Sequence, residues 1–76
     1  KYLQVGAFGD INSALELSDK LRVMTERPVF IRSVNSLGNG VLHRVRIGPV
    51  NDPGEIQQII QRVVAAELGS PYAVTE

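Results

Sequence analysis

Apolar residues recur at two different intervals along this chain, every second position in some stretches and every third or fourth in others. From Tyr2 to Ala7 they alternate, with Leu3, Val5 and Ala7 on one face and Tyr2, Gln4 and Gly6 on the other, which predicts a strand. Asp10 then offers a helix N-cap, and Ala14, Leu17, Leu21 and Met24 form a stripe of helical spacing, predicting a helix over about residues 11–25 that Pro28 brings to a stop. Val29 to Val34, rich in β-branched and aromatic residues, predicts a second strand. The turn-forming run "NSLGNG" at 35–40 and a third strand over 41–48 complete a hairpin. Asp52-Pro53-Gly54-Glu55 supplies an N-cap, a proline at the first helical position and an acid at the third. The stripe Ile56, Ile59, Ile60, Val63, Val64 then predicts a second helix ending near Leu68, with Gly69 as its terminator. Tyr72 to Thr75 can form a short last strand.

The order βαββαβ, with right-handed crossovers, implies an α+β ferredoxin-like fold: a four-stranded antiparallel sheet, strands one and three central, both helices on one face. No helix remains for the other face. Alternation directs Leu3, Val5, Val29, Ile31, Val45 and Ile47 toward the helices, and Gln4, Phe30, Arg32, Arg44 and Arg46 away from them.

Length and charge narrow the picture. Seventy-six residues make one domain, spanning 1–76, with a modest core and no room for a deep catalytic cavity. Eight basic and eight acidic side chains cancel, so any attraction for anions must be local. Without cysteine there is no disulfide, thiolate or zinc knuckle to propose, and no apolar run approaches membrane-spanning length. A chain that starts directly in a strand pattern is expected to be a domain excised from a longer protein, with any targeting segment upstream.

"HRVRIGPV", residues 43–50, raises the functional question, because its alternation lines Arg44 and Arg46 along the uncovered sheet face. Antiparallel sheets often leave one face simply wet, and that reading stands beside a binding platform. The stretch "YLQVGAFGDINSALELSDKL" near the start and "HRVRIGPVNDPGEIQQIIQRV" in the second half resemble the two signature halves of the SPOR domain, and together they span nearly the whole chain.

The SPOR resemblance implies a non-catalytic module that binds bacterial peptidoglycan, with preference for glycan strands stripped of stem peptides. It implies targeting of a parent protein, which could be a lytic transglycosylase, to the division septum within the periplasm or cell envelope. A denuded strand exposes acetamido groups, hydroxyls and the free lactyl carboxylate of muramic acid, and an exposed arginine matches that carboxylate by paired hydrogen bonds. The candidate glycan-binding residues are Gln4, Gly6, Ala7, Phe30, Arg32, Arg44, Arg46 and Tyr72. Gln4 offers a donor and an acceptor to an acetamido group, and Gly6 and Ala7 keep the sheet low, although both small residues also suit plain strand geometry. Tyr72 stands where the family usually has an aromatic in the last strand; its competing role is an edge residue sharing the face of Val74. Phe8 is expected to support the core, Phe30 is exposed by alternation but large enough to want cover, and His43, without metal-ligating neighbours, reads as a strand residue.

Other functions fit less well. An RNA-binding sheet would carry stacking aromatics where this chain has Gln4, Arg44 and Arg46, so no nucleic-acid partner is expected. An acyl-phosphate hydrolase needs a cationic phosphate loop where this chain has Phe8-Gly9-Asp10. A small-ligand or protein-interaction module of the same architecture remains open. The domain is expected to be monomeric, to need no cofactor or metal, and not to insert into membranes.

Overall fold

The computed structural model describes residues 1–38 and 40–75; Asn39, within the predicted "NSLGNG" turn, lies outside the described residues. Six elements follow one another: β1 (Tyr2–Phe8), α1 (Ile11–Thr25), β2 (Val29–Ser36), β3 (Gly40–Ile47), α2 (Pro53–Ala65) and β4 (Tyr72–Val74). The strands form one antiparallel sheet in the order β2-β3-β1-β4, so β1 and β3 are central as expected. Leu3, Val5, Val29, Val45 and Ile47 of the sheet join Ala14, Leu17 and Leu21 of α1 and Ile59 and Val63 of α2 in a single buried cluster. One core shared by both helices places them on one face. The α+β ferredoxin-like architecture read from the periodicity is therefore the observed one.

Local chemistry accounts for the helix boundaries. The Asp10 side chain accepts from the Asn12 N–H and the Ser13 hydroxyl at the start of α1, and Asp52 accepts from the Glu55 N–H at the start of α2, each satisfying a donor that has no partner within its helix. At the end of α1, Glu26 turns left-handed (φ 54°) and its N–H returns to the Arg22 carbonyl, while Arg22 Nη2 donates to the Val29 carbonyl at 3.0 Å and ties the helix exit to β2. Arg27 and Glu55 pair across the gap between the end of α1 and the first turn of α2.

The end of α2 differs from the sequence expectation. The helix stops at Ala65 rather than near Leu68, because Glu67 takes the left-handed conformation (φ 58°) and the N–H groups of Glu67 and Leu68 donate back to the Val64 and Val63 carbonyls. This pair of backward bonds is a Schellman motif, and it folds Leu68 onto the core. Gly69 is thus not the terminator. It passes so close to β1 that a Cβ would sit 3.0 Å from the Val5 carbonyl oxygen, at a φ of +134° that disfavours side-chain-bearing residues.

The pairing of β1 with β3 is interrupted once. Register runs from Leu3↔Ile47 and Gln4↔Arg46 to Gly6↔Val45, Ala7↔Arg44 and Phe8↔His43, so Val5 is an extra residue, a β-bulge. Beyond the bulge the faces exchange. Gly6 is level with core-facing Val45, and a Cβ on Gly6 would meet the Phe8 ring at 3.0 Å and Leu17 at 3.3 Å. Ala7 instead lies level with Arg44 and is exposed. The expectation that Ala7 shares the face of Leu3 and Val5, with Gly6 opposite, is corrected for this reason. Phe8 packs against the core as expected, but from within β1.

Two outcomes test this arrangement. Val5→Asp and Ile47→Asp place an unpaired carboxylate in the core, at a cost of several kcal/mol, and are expected to abolish the cooperative thermal transition, whereas Arg32→Ala on the open face is expected to retain it. An intact Ile47→Asp domain by circular dichroism would overturn the face assignment. Ser18, on the buried side of α1, is 0% exposed, and its hydroxyl has no hydrogen-bond partner among the described residues. Ser18→Ala removes that unmet group and favours helix, so urea unfolding is expected to show a gain of about 1 kcal/mol. A loss would show that the hydroxyl is bonded in solution.

Candidate functional site: the uncovered sheet face

Register brings seven of the eight candidate residues into two adjacent rows. One row crosses all four strands: Phe30 of β2 opposite Arg46 of β3, Arg46 opposite Gln4 of β1, and Gln4 opposite Tyr72 of β4. The next row holds Arg32, Arg44 and Ala7. Gly6 alone belongs to the other face. Its missing side chain makes room for Phe8 and Leu17 rather than lowering the open face toward a ligand.

The first row is held together by side-chain hydrogen bonds. Arg46 Nε donates to Gln4 Oε1 at 3.1 Å, and Gln4 Nε2 donates to the Tyr72 hydroxyl at 2.8 Å, forming a line from β3 through β1 to β4. Arg46 is only 5% exposed and Gln4 7%, although no helix covers them. Tyr2 and Phe30 meet edge to face, with ring centroids 5.4 Å apart and planes at 85°, beside the Arg46 position. The expectation that Arg46 lies open to solvent is accordingly corrected. Without Arg46, a buried amide oxygen loses a charge-assisted bond, which costs about 1–3 kcal/mol.

The second row is more accessible. Arg44 is half-buried and Arg32 exposed, and they sit directly opposite one another next to the small side chain of Ala7. Like charges at opposed positions repel, so this row concentrates positive potential at some cost to stability. The four strands contain Arg32, Arg44 and Arg46 and no aspartate or glutamate; the described acidic residues lie in the helices and loops. A chain of zero formal net charge therefore presents a cationic sheet face.

Tyr72 is 55% exposed and Phe30 half-buried, so the edge-strand tyrosine is the more available aromatic. Tyr2 was not among the sequence candidates, although alternation already grouped it with Gln4. Val34 and Leu42, paired and half-buried, extend the same face toward the hairpin end. Their signal was equally present, as even-numbered positions in the same two strands. His43 accepts or donates a 2.7 Å hydrogen bond with Ser33, its cross-strand partner, and so acts as a strand residue.

The face is flat. No pocket opens among the described residues, and no cluster of three or more His, Cys, Asp or Glu side chains that could hold a metal occurs among them. No helix is long and apolar enough to cross a membrane.

Known proteins share this architecture. The family model for the SPOR domain matches residues 2–75. The proteins named endolytic peptidoglycan transglycosylase RlpA from two strains of Pseudomonas aeruginosa, UCBPP-PA14 and PAO1, are each 42% identical to the chain over 73 residues. That match takes in 96% of the chain but only 21% of either relative, so the chain spans about a fifth of their length. The crystal structure of the RlpA SPOR domain from Pseudomonas aeruginosa superposes with a TM-score of 0.93 at 41% identity, covering 99% of this chain and 97% of that one. Within the SPOR family the motifs "YLQVGAFGDINSALELSDKL" and "HRVRIGPVNDPGEIQQIIQRV" further resemble the C-terminal domain of rare lipoprotein A-type envelope proteins, a likeness that these matches bear out. Matched along almost all its length by family model, sequence and structure, the chain belongs to the SPOR domain family and is a binding module rather than a catalytic one.

Proposed function

We propose that the domain binds peptidoglycan on its uncovered sheet face, recognising glycan strands denuded of stem peptides, and so directs its parent protein to the division septum in the cell envelope. The observation that carries this reading is a flat cationic face, with Arg32 and Arg44 opposed beside Ala7 and with Tyr72 exposed at the edge, in a chain 42% identical to proteins named for action on peptidoglycan.

The chemistry fits at each point. An extended polysaccharide needs a long shallow surface rather than a pocket, and Tyr72 offers a ring face against which a sugar can lie. Removal of a stem peptide frees the lactyl carboxylate of muramic acid and clears the bulk that would hold a strand off a flat sheet. A guanidinium pair matches that carboxylate by charge-assisted hydrogen bonds. Burial of Arg46 favours Arg32 and Arg44 as the carboxylate contacts, with Ala7 leaving space beside them and Phe30 forming part of the neighbouring wall. A single shallow contact of this kind gives modest affinity, which suits a domain attached to a larger protein with further contacts to the wall. That parent is proposed to be a transglycosylase of the kind its relatives are named for, reaching the periplasm through a signal elsewhere in its chain. The domain itself is proposed to act as a monomer.

Retention on isolated sacculi tests the substrate. Amidase-treated sacculi are expected to hold the domain and fully peptide-substituted sacculi to hold much less, while equal retention on both would remove the preference for denuded strands. Calorimetry with a denuded tetrasaccharide tests the cations. Arg44→Ala is expected to weaken binding by up to about a hundredfold, corresponding to about 1.5–3 kcal/mol for a well-made charged bond and less where water reaches the pair. Added salt should narrow the gap to wild type, since exposed charges are screened over about 8–10 Å at physiological strength. A folded Arg32→Ala, Arg44→Ala double variant that binds like wild type would leave the cations as a merely solvated row.

A further inference from the structure

The line Arg46–Gln4–Tyr72 has a direction, and that direction fixes what the face offers a ligand. A guanidinium has only donors, so the atom of Gln4 that meets Arg46 Nε at 3.1 Å must be the amide oxygen. The amide nitrogen therefore faces Tyr72, 2.8 Å from its hydroxyl oxygen, and an amide N–H can only donate. The Tyr72 oxygen is thus an acceptor toward Gln4, and its single proton is directed elsewhere. That proton has no acceptor among the described residues, and Tyr72 is 55% exposed. Gln4 and Arg46, at 7% and 5%, are too covered to be what a ligand first touches.

We propose that the Tyr72 hydroxyl is a hydrogen-bond donor to the bound glycan, given its direction by Gln4 and Arg46 as positioning residues, and that its partner is the acetamido carbonyl oxygen of an N-acetylated sugar. The inference rests on the glycan-binding reading above. A hydroxyl that already accepts a bond from a polarised amide is a stronger donor in turn, and Arg46 polarises the Gln4 amide with its charge. A carbonyl oxygen, which only accepts, fits that group. A sugar whose acetyl group has been removed presents an ammonium instead, which donates and carries positive charge onto a cationic face. The relay therefore selects N-acetylated over de-N-acetylated glycan, a discrimination that a ring surface used only for stacking would not supply.

One substitution reverses the relay without removing it. In Gln4→Glu the carboxylate accepts from Arg46 and from the Tyr72 hydroxyl, which turns the tyrosine proton inward and uses up the donor. Binding of a denuded N-acetylated tetrasaccharide is expected to fall about tenfold in Gln4→Glu and about as far in Tyr72→Phe, as for loss of one hydrogen bond. Tyr72→Phe in the Gln4→Glu background should cost nothing more, and the preference for N-acetylated over de-N-acetylated tetrasaccharide should shrink in each variant. Losses that multiply in the double variant, or a Tyr72→Phe domain with wild-type affinity and selectivity, would overturn the proposal. Tyr72→Phe alters an exposed atom, so it keeps the test valid if Gln4→Glu fails to fold. Nitrogen-resolved NMR of the Gln4 side-chain amide provides a readout without ligand: its protons should exchange slowly in wild type and faster in Tyr72→Phe. If wild type binds neither tetrasaccharide, the glycan reading fails while the amide signal still reports on the relay; unprotected amide protons in wild type would refute the relay whatever the binding result.

Discussion

Which side chains reach solvent on this domain depends on one irregularity in the pairing of its two central strands. β1 and β3 are in step at Leu3↔Ile47 and Gln4↔Arg46, then Val5 is left over, and from Gly6↔Val45 onward the faces of β1 have exchanged. A one-residue slip in a two-sided strand reverses every following side chain, so a bulge is the local way to do this once without disturbing the rest of the sheet. Phe8 can then turn to the core, and Ala7 comes to lie beside Arg44. Gly6 makes the exchange sterically possible, since the Phe8 ring and Leu17 occupy the space a larger residue would need. The same stretch of β1 receives the Gly69 backbone against the Val5 carbonyl, which links the bulge to the turn after α2.

A second constraint follows on the open face. A guanidinium as covered as that of Arg46 is tolerable only when its N–H groups are hydrogen-bonded, because an unmet buried charge costs several kcal/mol. Gln4 meets part of that demand and in doing so loses its own freedom to rotate. The central row is thereby a fixed, internally bonded line, and the row of Arg32, Arg44 and Ala7 is the more accessible cationic part. Cover and exposure are thus divided between neighbouring arginines, Arg46 buried and Arg44 only half-buried. Burial separates arginines that are only two positions apart in the same strand.

Membership of the SPOR family and the close match to the RlpA domain place this division of labour on a known scaffold. The chain corresponds to about a fifth of the length of those relatives. A face on which no pocket opens among the described residues, with segregated charge and a hydrogen-bonded central row, suits a surface that docks.

Much of this architecture was legible in the sequence because it is local. The caps at Asp10 and Asp52, the two apolar stripes and the alternation in β2 and β3 are set by neighbours within a few residues, and the element order with its single helix-covered face follows from them. The candidate residues were legible for the same reason: six of the eight lie in strands or parts of strands where alternation is unbroken. Ala7 and Gly6 were misplaced because a bulge is not encoded in the period of the pattern; it is set by how β1 pairs with β3, and the groups that lie against that stretch, Leu17 of α1 and Gly69 after α2, reach it only in the folded chain. The early end of α2 was hidden for a related reason, since Leu68 turns back to a core that the helix alone does not contain. Arg46 was read as exposed because alternation gives the face but not the cover. Its hydrogen-bond partner Gln4 and its cross-strand neighbour Phe30 are distant along the chain and brought to it only by strand order, so that tertiary structure alone decided which of the arginines is covered and which is accessible.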